Sequence, residues 1–221
     1  MKIIAAKKIL AANDRLAAAN RRKFDTQGIF CLNLLGSPGC GKTSLIEALA
    51  EMLTPDFKPA VIEGDLATSR DADRISALGL PVFQINTGGG CHLDAGMIAR
   101  ALEKFPLKDC NLLFIENVGN LVCPANYRLG EHLRIALLSA PEGDDKIAKY
   151  PTMFQQVDAV ILNKSDLIPH LTFDENRVLV DLKMLAPALD YFKISAHTRE
   201  GLPSLVEWLR QKFAAFQESR R

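Results

Sequence analysis

The sequence predicts an α/β fold in which a mainly parallel β-sheet carries helices on both faces, and two observations predict it. Short apolar runs alternate with helical patterns along almost the whole chain, which is the signature of strand-helix-strand units. The octet Gly36-Ser37-Pro38-Gly39-Cys40-Gly41-Lys42-Thr43 stands between the apolar run 29–35 and a helical run beginning at Ser44. A glycine-rich turn delivered by a strand and followed by a helix aims successive backbone N–H groups at a polyphosphate. The fold class is therefore a P-loop NTPase.

Taken in order, residues 3–24 set Ile3, Ile4, Leu10 and Leu16 at loosely helical spacing among Lys, Arg and Asn, predicting an amphipathic helix. Segment 1–26 is read as an N-terminal helix packed on the core, with a partner-binding or oligomerisation arm as the alternative, and 27–221 as one P-loop domain. Strands are expected at 29–35, 59–63, 81–86, 111–116, 134–139, 158–162 and 190–194, where apolar residues run without helical spacing. Helices are expected at 42–53, 69–78, 93–104, 146–155, 176–186 and 203–217. No repeat, low-complexity tract or linker interrupts the pattern. In such sheets ligands bind beyond the carboxyl ends of the strands, so the segments that follow strands carry the chemistry.

A chain of 221 residues, 48% apolar and 24% charged, has the composition of one large globular domain. Its net charge of +1, with no long Lys/Arg run, argues against a dedicated nucleic-acid surface. No stretch approaches the ~18 apolar residues of a membrane span, and the first residues lack a signal peptide's apolar core and cleavage site. A cytoplasmic protein with no membrane partner is expected. Five cysteines suit a reducing compartment, where a special thiol binds metal or packs.

Lys42 is expected to reach the β- and γ-phosphates and Thr43 to hold Mg²⁺, with the loop from Gly36 through Ser44 around the phosphates. The strand Ala159-Val160-Ile161-Leu162 runs into Asn163-Lys164-Ser165-Asp166, an Asn-Lys-x-Asp pattern. A carboxylate at Asp166 can accept hydrogen bonds from guanine N1–H and N2–H₂, whereas adenine would leave it buried and unpaired. Asn163 would brace the loop and Lys164 would cover the base. Ser195, Ala196 and His197 end the last strand and resemble the loop whose backbone amides meet guanine O6. GTP is therefore preferred to ATP. Two acidic strand ends, Glu63-Gly64-Asp65 and Glu116-Asn117-Val118-Gly119, lie where Mg²⁺ and the γ-phosphate are read, with Asp65 and Glu116 as Mg²⁺ acids and the Gly119 amide facing the γ-phosphate.

Beside these acids stand Cys91-His92, preceded by Gly88-Gly89-Gly90, and Cys123-Pro124. Two thiolates and an imidazole suit Zn²⁺ or Ni²⁺, and the glycines let adjacent residues turn toward one ion. Three ligands leave a position for water, a substrate ligand or a second copy of the cluster across a two-fold axis. Cys31, Cys40 and Cys110 read as core or loop-backbone residues, and His132 and His170 as surface residues.

With the P-loop, Cys-His, Glu-Asn-Val-Gly-Asn, Cys-Pro and Asn-Lys-Ser-Asp all present, the chain resembles the HypB family, the nickel-incorporation GTPases of [NiFe]-hydrogenase maturation. The resemblance covers about residues 4–215. It implies a SIMIBI-class GTPase that dimerises with GTP, and a nickel or zinc site of Cys91, His92 and Cys123 near the dimer interface. It also implies two partners, a nickel metallochaperone of the HypA type and the hydrogenase large-subunit precursor. A lysine after Glu142-Gly143-Asp144-Asp145, Lys146 or Lys149, would touch the facing subunit's nucleotide. The N-terminal helix lacks the Cys and His of the family's nickel-storage motifs, so tight storage is not expected. With no arginine finger or glutamine placed by sequence, basal hydrolysis is expected to be slow. Three alternatives stand beside it: a urease-accessory GTPase, a P-loop kinase, and a passive metal-binding module in which GTP only stabilises the fold. A urease-accessory GTPase would carry Cys-Pro-His, but Ala125 follows Pro124 here. A P-loop kinase for a small metabolite would use the acids at 65 and 116 to position an acceptor hydroxyl.

Overall fold

The computed structural model describes residues 3–65 and 70–220. Seven strands form one all-parallel sheet in the order β3-β2-β4-β1-β5-β6-β7. They are β1 Phe30–Gly36, β2 Pro59–Asp65, β3 Val82–Asn86, β4 Leu112–Glu116, β5 Leu133–Ser139, β6 Ala159–Asn163 and β7 Asp190–Lys193. Each coincides with an expected strand to within two residues at either end. The three central strands β4, β1 and β5 are buried along their whole length, because helices cover both faces and no residue type has a solvent face to seek.

Alternation along β1 sorts the core. Phe30, Leu32 and Leu34 join one apolar cluster with Leu45 and Leu49 of α2 (Lys42–Leu53), Ile75 of α3 (Arg70–Ala77) and Leu205 and Leu209 of α8 (Leu202–Glu218). Cys31 and Leu35 face the opposite side. There they meet α1 (Ile3–Gln27), α4 (Ala95–Lys104), the short helices α5 (Lys146–Lys149) and α6 (Pro151–Phe154), and α7 (Glu175–Leu185). The α/β class with helices on both faces is thus observed. One expected helix differs: 146–155 is split at Tyr150, whose φ of −126° and ψ of 51° leave the helical region. Pro151 is the cause, since its ring disfavours the helical conformation in the residue before it. The expected start of α3, residue 69, and residues 1–2 of the N-terminal helix lie outside the described residues.

Helix α1 positions the functional end of the molecule. Its buried Asn13 accepts a hydrogen bond from Ala95 N–H at 2.9 Å and donates to Arg128 O at 2.8 Å. Asn20 donates to Ala95 O and Leu129 O, each at 2.9 Å. Two polar side chains on a buried helix face thereby fix the first turn of α4, with the backbone groups of the helix end satisfied from outside. His132 belongs to the same contact and corrects the surface assignment. Its side chain is only 3% exposed, its Nδ1 accepts from Cys31 N–H, and its Nε2 faces Asp25 at 2.9 Å. His170 is exposed. No helix among the described residues is long and apolar enough to cross a membrane.

Candidate nucleotide and metal site

The phosphate loop forms because β1 ends on Gly36 and α2 starts at Lys42, leaving five residues to reverse the chain. Gly41 caps α2 with φ +97°, in the left-handed region that a side chain disfavours, and a Cβ there would lie 2.4 Å from Asn163 Nδ2. Lys42 is buried, and its ammonium donates to Ser37 O at 3.4 Å. The Thr43 hydroxyl donates to Glu116 Oε1 at 2.9 Å. Ser37 Oγ donates to the Glu142 carboxylate, which also accepts from Ser139 N–H and Oγ–H, so the next strand's end holds the loop. Cys40 faces the core and burial pushes its thiol up to about 11. A cleft of about 390 Å³ opens over this loop, walled by Pro38, Gly39 and Gly41 to Ser44, by Glu63 to Asp65, and by Glu116 to Gly119. Gly119 packs so tightly on the loop that a Cβ would fall 2.8 Å from Pro38 N.

Strands β2 and β4 pair in parallel with Glu63 opposite Glu116. Both are buried, at 2% and 5% exposure. Burial raises the Glu63 carboxyl to about 8, helped by the charge of Glu116, and raises Glu116 to about 7. One oxygen of each, Glu63 Oε2 and Glu116 Oε2, has no hydrogen-bond partner. Orphaned buried carboxylate oxygens beside a hydroxyl are a fitting donor set for a hard cation such as Mg²⁺. Thr43 and Glu116 therefore meet as the sequence analysis required, and Asp65 lies at the rim of the same cleft. Glu63 is a further acid of this wall. In the sequence it stands as an acid inside an otherwise apolar strand, which marks it as unusual but does not name its neighbour.

At the other end of the loop, Asn163 joins three segments. Its Nδ2 donates to Cys40 O at 3.0 Å, and its Oδ1 accepts from Lys164 N–H at 2.8 Å and Ala196 N–H at 3.0 Å. Lys164 adopts φ +59° and donates from Nζ to Gly39 O at 2.7 Å. Asp166 Oδ1 is buried without a partner, as a base-reading carboxylate would be before its base arrives. Ser195 and Ala196 are buried beside Asn163, and Ser195 Oγ accepts from Thr198 N–H. The His197 side chain is exposed. Lys149 pairs with Asp145, and Lys146 lies 6.0 Å from the Tyr150 ring.

Cys91, His92 and Cys123 converge, their ligand atoms lying within 4.8 Å of one another. Cys91 Sγ is 3.6 Å from His92 Nδ1. Gly88 and Gly89, with φ of +59° and +95°, make the turn that lets neighbouring residues face one point. A hydrogen bond shared with Cys123 raises the Cys91 thiol, and burial lowers the His92 imidazole. The His92 ring lies against Tyr127, with centroids 3.9 Å apart. Two sulfurs and one imidazole nitrogen at this spacing fit a borderline-soft divalent ion. Cys31 and Cys110 stay apart from the cluster; Cys31 is fully buried and Cys110 Sγ donates to Leu112 O.

The family model described as "CobW/HypB/UreG, nucleotide-binding domain" matches residues 30–193. The chain is 48% identical over 207 residues to the hydrogenase maturation factor HypB of Azotobacter chroococcum mcd 1, spanning 94% of this chain and 68% of that protein. It is 46% identical over 216 residues to the hydrogenase/urease maturation factor HypB of Helicobacter hepaticus (strain ATCC 51449 / 3B1), spanning 96% and 88%. It superposes with a TM-score of 0.89 on the crystal structure of HypB from Helicobacter pylori in complex with nickel, at 43% identity over 92% of this chain and 96% of that one. Motifs, sheet order and these likenesses converge, and the chain belongs to the HypB branch of the CobW/HypB/UreG family.

Proposed function

We propose that the protein is a slow GTPase switch that binds Ni²⁺, or Zn²⁺ in its place, and delivers nickel to the large-subunit precursor of a [NiFe]-hydrogenase in the cytoplasm. The observation that carries the proposal is the short path between two sites. Glu116 and Gly119 wall the nucleotide cleft, and Cys123 of the Cys91, His92 and Cys123 cluster follows on the same loop. Nickel in the Helicobacter pylori relative supports the cargo.

Guanine selectivity is assigned to Asp166, whose orphaned Oδ1 would accept from the base's N–H groups. Asn163 holds the base loop to the phosphate loop, and Lys164 covers the base from above Gly39. Ser195, Ala196 and His197 close the far side. Lys42 supplies positive charge at the β- and γ-phosphates, and Thr43, Glu116 and Asp65 would hold Mg²⁺, which when bound would supply further positive charge beside the transferred phosphoryl group. Hydrolysis releases the Gly119 amide, and the separation between Cys123 and the Cys91-His92 pair changes with it. GTP-dependent pairing of two copies and docking of a HypA-type metallochaperone belong to the same reading.

The test is calorimetric titration of Ni²⁺ and Zn²⁺ into metal-free protein loaded with GDP or with a non-hydrolysable GTP analogue, with Cys123→Ala as control. Affinity or stoichiometry that changes with nucleotide, and a change that disappears in the control, is the expected result. Identical binding in both nucleotide states would overturn the gating.

A further inference from the structure

The gated-delivery reading leaves open which side of the metal cluster moves, and chain continuity points to Cys123. The hydrogen bonds point elsewhere. Asn120 donates its backbone N–H to Gly36 O, at the start of the phosphate loop, at 2.9 Å. Its side-chain Nδ2 donates to Cys91 O at 3.3 Å, and its Oδ1 accepts from Val122 N–H at 2.8 Å. Asn117 lines the nucleotide cleft directly after Glu116. Its Oδ1 accepts from Leu93 N–H at 3.1 Å. The Cys91-His92 pair is thus gripped on both sides, at the carbonyl of Cys91 and at the amide following His92, by two side chains of the segment that reads the γ-phosphate.

The Cys123 turn is anchored differently. Arg134, the second residue of β5 and 0% exposed, donates from Nη2 to Pro124 O at 2.8 Å and to Ala125 O at 3.0 Å. Its guanidinium is paired with buried Glu131 at 3.3 Å, and Glu131 accepts in turn from Asn33 in the centre of β1. Displacing that turn would strip a buried charge of its partners, which is costly. Arg134 does not line the cleft.

We propose that Asn117 and Asn120 are positioning residues that carry the nucleotide state to Cys91 and His92, while Arg134 holds the Cys123 turn to the sheet as the fixed side of the cluster. This rests on the gated-delivery reading and specifies its moving part. When the segment 117–120 follows the γ-phosphate, Cys91 and His92 travel with it and Cys123 stays. Nickel affinity then changes because two ligands move relative to the third.

The experiment compares Asn120→Asp, Asn120→Ala and Asn117→Ala with the unmodified chain. Asn120→Asp keeps the acceptor for Val122 N–H and removes the donor to Cys91. Asn117→Ala removes the acceptor for Leu93 N–H. Each protein is titrated with Ni²⁺ in its GDP and GTP-analogue states, followed by the thiolate-to-nickel charge-transfer band, with GDP affinity and thermal unfolding as checks on folding. The unmodified chain should show a ratio of affinities between the states of about fivefold or more, the usual scale of coupling between sites. Asn120→Asp, Asn120→Ala and Asn117→Ala should each bring that ratio to within about twofold of one, with the charge-transfer band retained, and a ratio kept in Asn117→Ala overturns the part assigned to Asn117. A ratio preserved in both Asn120 variants, while the unmodified chain is gated, overturns the grip and leaves gated delivery standing. A ratio lost in Asn120→Ala but kept in Asn120→Asp assigns the effect to the Val122 turn and also overturns it. A ratio of one in the unmodified chain overturns both readings.

Discussion

The two ends of the loop from Glu116 to Cys123 are built on opposite principles. The nucleotide end is built round one unbroken stretch of chain, the phosphate loop and the start of α2, with the buried acids of β2 and β4 beside it. The phosphate loop, the start of α2, the end of β2 and the segment from Glu116 to Gly119 wall its cleft, Asn163 ties three segments into a fixed cradle, and its unsatisfied atoms include the acceptors Glu63 Oε2, Glu116 Oε2 and Asp166 Oδ1. The metal end is partly exposed and assembled from two loops, and its ligands already satisfy one another through the contacts of Cys91 with Cys123 and His92. The first site carries its electrostatic cost in two buried carboxyls. The second must release a proton before an ion can bind, which suits capture and release better than permanent storage.

That contrast is broken or sharpened first at Glu63. Its folded-state carboxyl titrates near 8 against an ordinary value of 4.5. Below 4.5 both folded and unfolded chains hold the proton, and nothing is lost. Between 4.5 and 8 the unfolded chain gives the proton up while the folded one keeps it, so nucleotide-free protein loses stability as pH rises through that window. Glu63→Gln should remove about 3 kcal/mol of that decline by pH 8, read by urea unfolding at pH 5, 6.5 and 8. Parallel pH profiles for the variant and the unmodified chain would show that the acid is not strained.

Next in size is base reading. Asp166→Asn should weaken GTP binding by about 100-fold, the scale of charged hydrogen bonds to a buried partner, and improve xanthosine nucleotides relative to it. Unchanged discrimination in competition binding would remove the carboxylate from the base site. At the metal end the expected effect is smaller per step. Because Cys91 holds its proton tightly and His92 does not, Ni²⁺ affinity should rise by about tenfold per pH unit for a proton released from the thiol. Calorimetry in buffers of different ionisation enthalpy counts the protons, and a count of zero would contradict the neutral-thiol picture. The smallest effect is expected away from both sites. Asp25→Asn, which leaves the buried His132 its hydrogen bond but not a charged partner, should cost about 1 kcal/mol in thermal unfolding and leave the nickel titration unchanged.

Much of the nucleotide end was legible in the sequence, because a P-loop and an Asn-Lys-x-Asp segment are local arrangements. Gly41, Lys42 and Thr43 need only the strand before them and the helix after them, and the expected strands and helices fell within a few residues of the observed ones. The convergence of Cys91, His92 and Cys123 was legible as chemistry, from the types of side chain that follow strand ends. The break of the expected 146–155 helix at Tyr150 is also written in the sequence, in Pro151. Glu63 and His132 were misjudged for a different reason. A lone acid in a strand and a lone histidine in a loop acquire meaning only from their neighbours in space.

By itself, then, the sequence determined the α/β class, the phosphate loop and the Asn-Lys-x-Asp turn that follows β6, since these depend on interactions between residues close along the chain. Only the tertiary structure decided that Glu63 lies beside Glu116, that Asn120 reaches both Gly36 and Cys91, and that Arg134 is buried under the Cys123 turn. Those contacts follow from the strand order, in which β4 sits between β2 and β1 and β5 flanks β1 on its other side. Sheet order is set by how whole faces bury against helices, and no local pattern of residues encodes it.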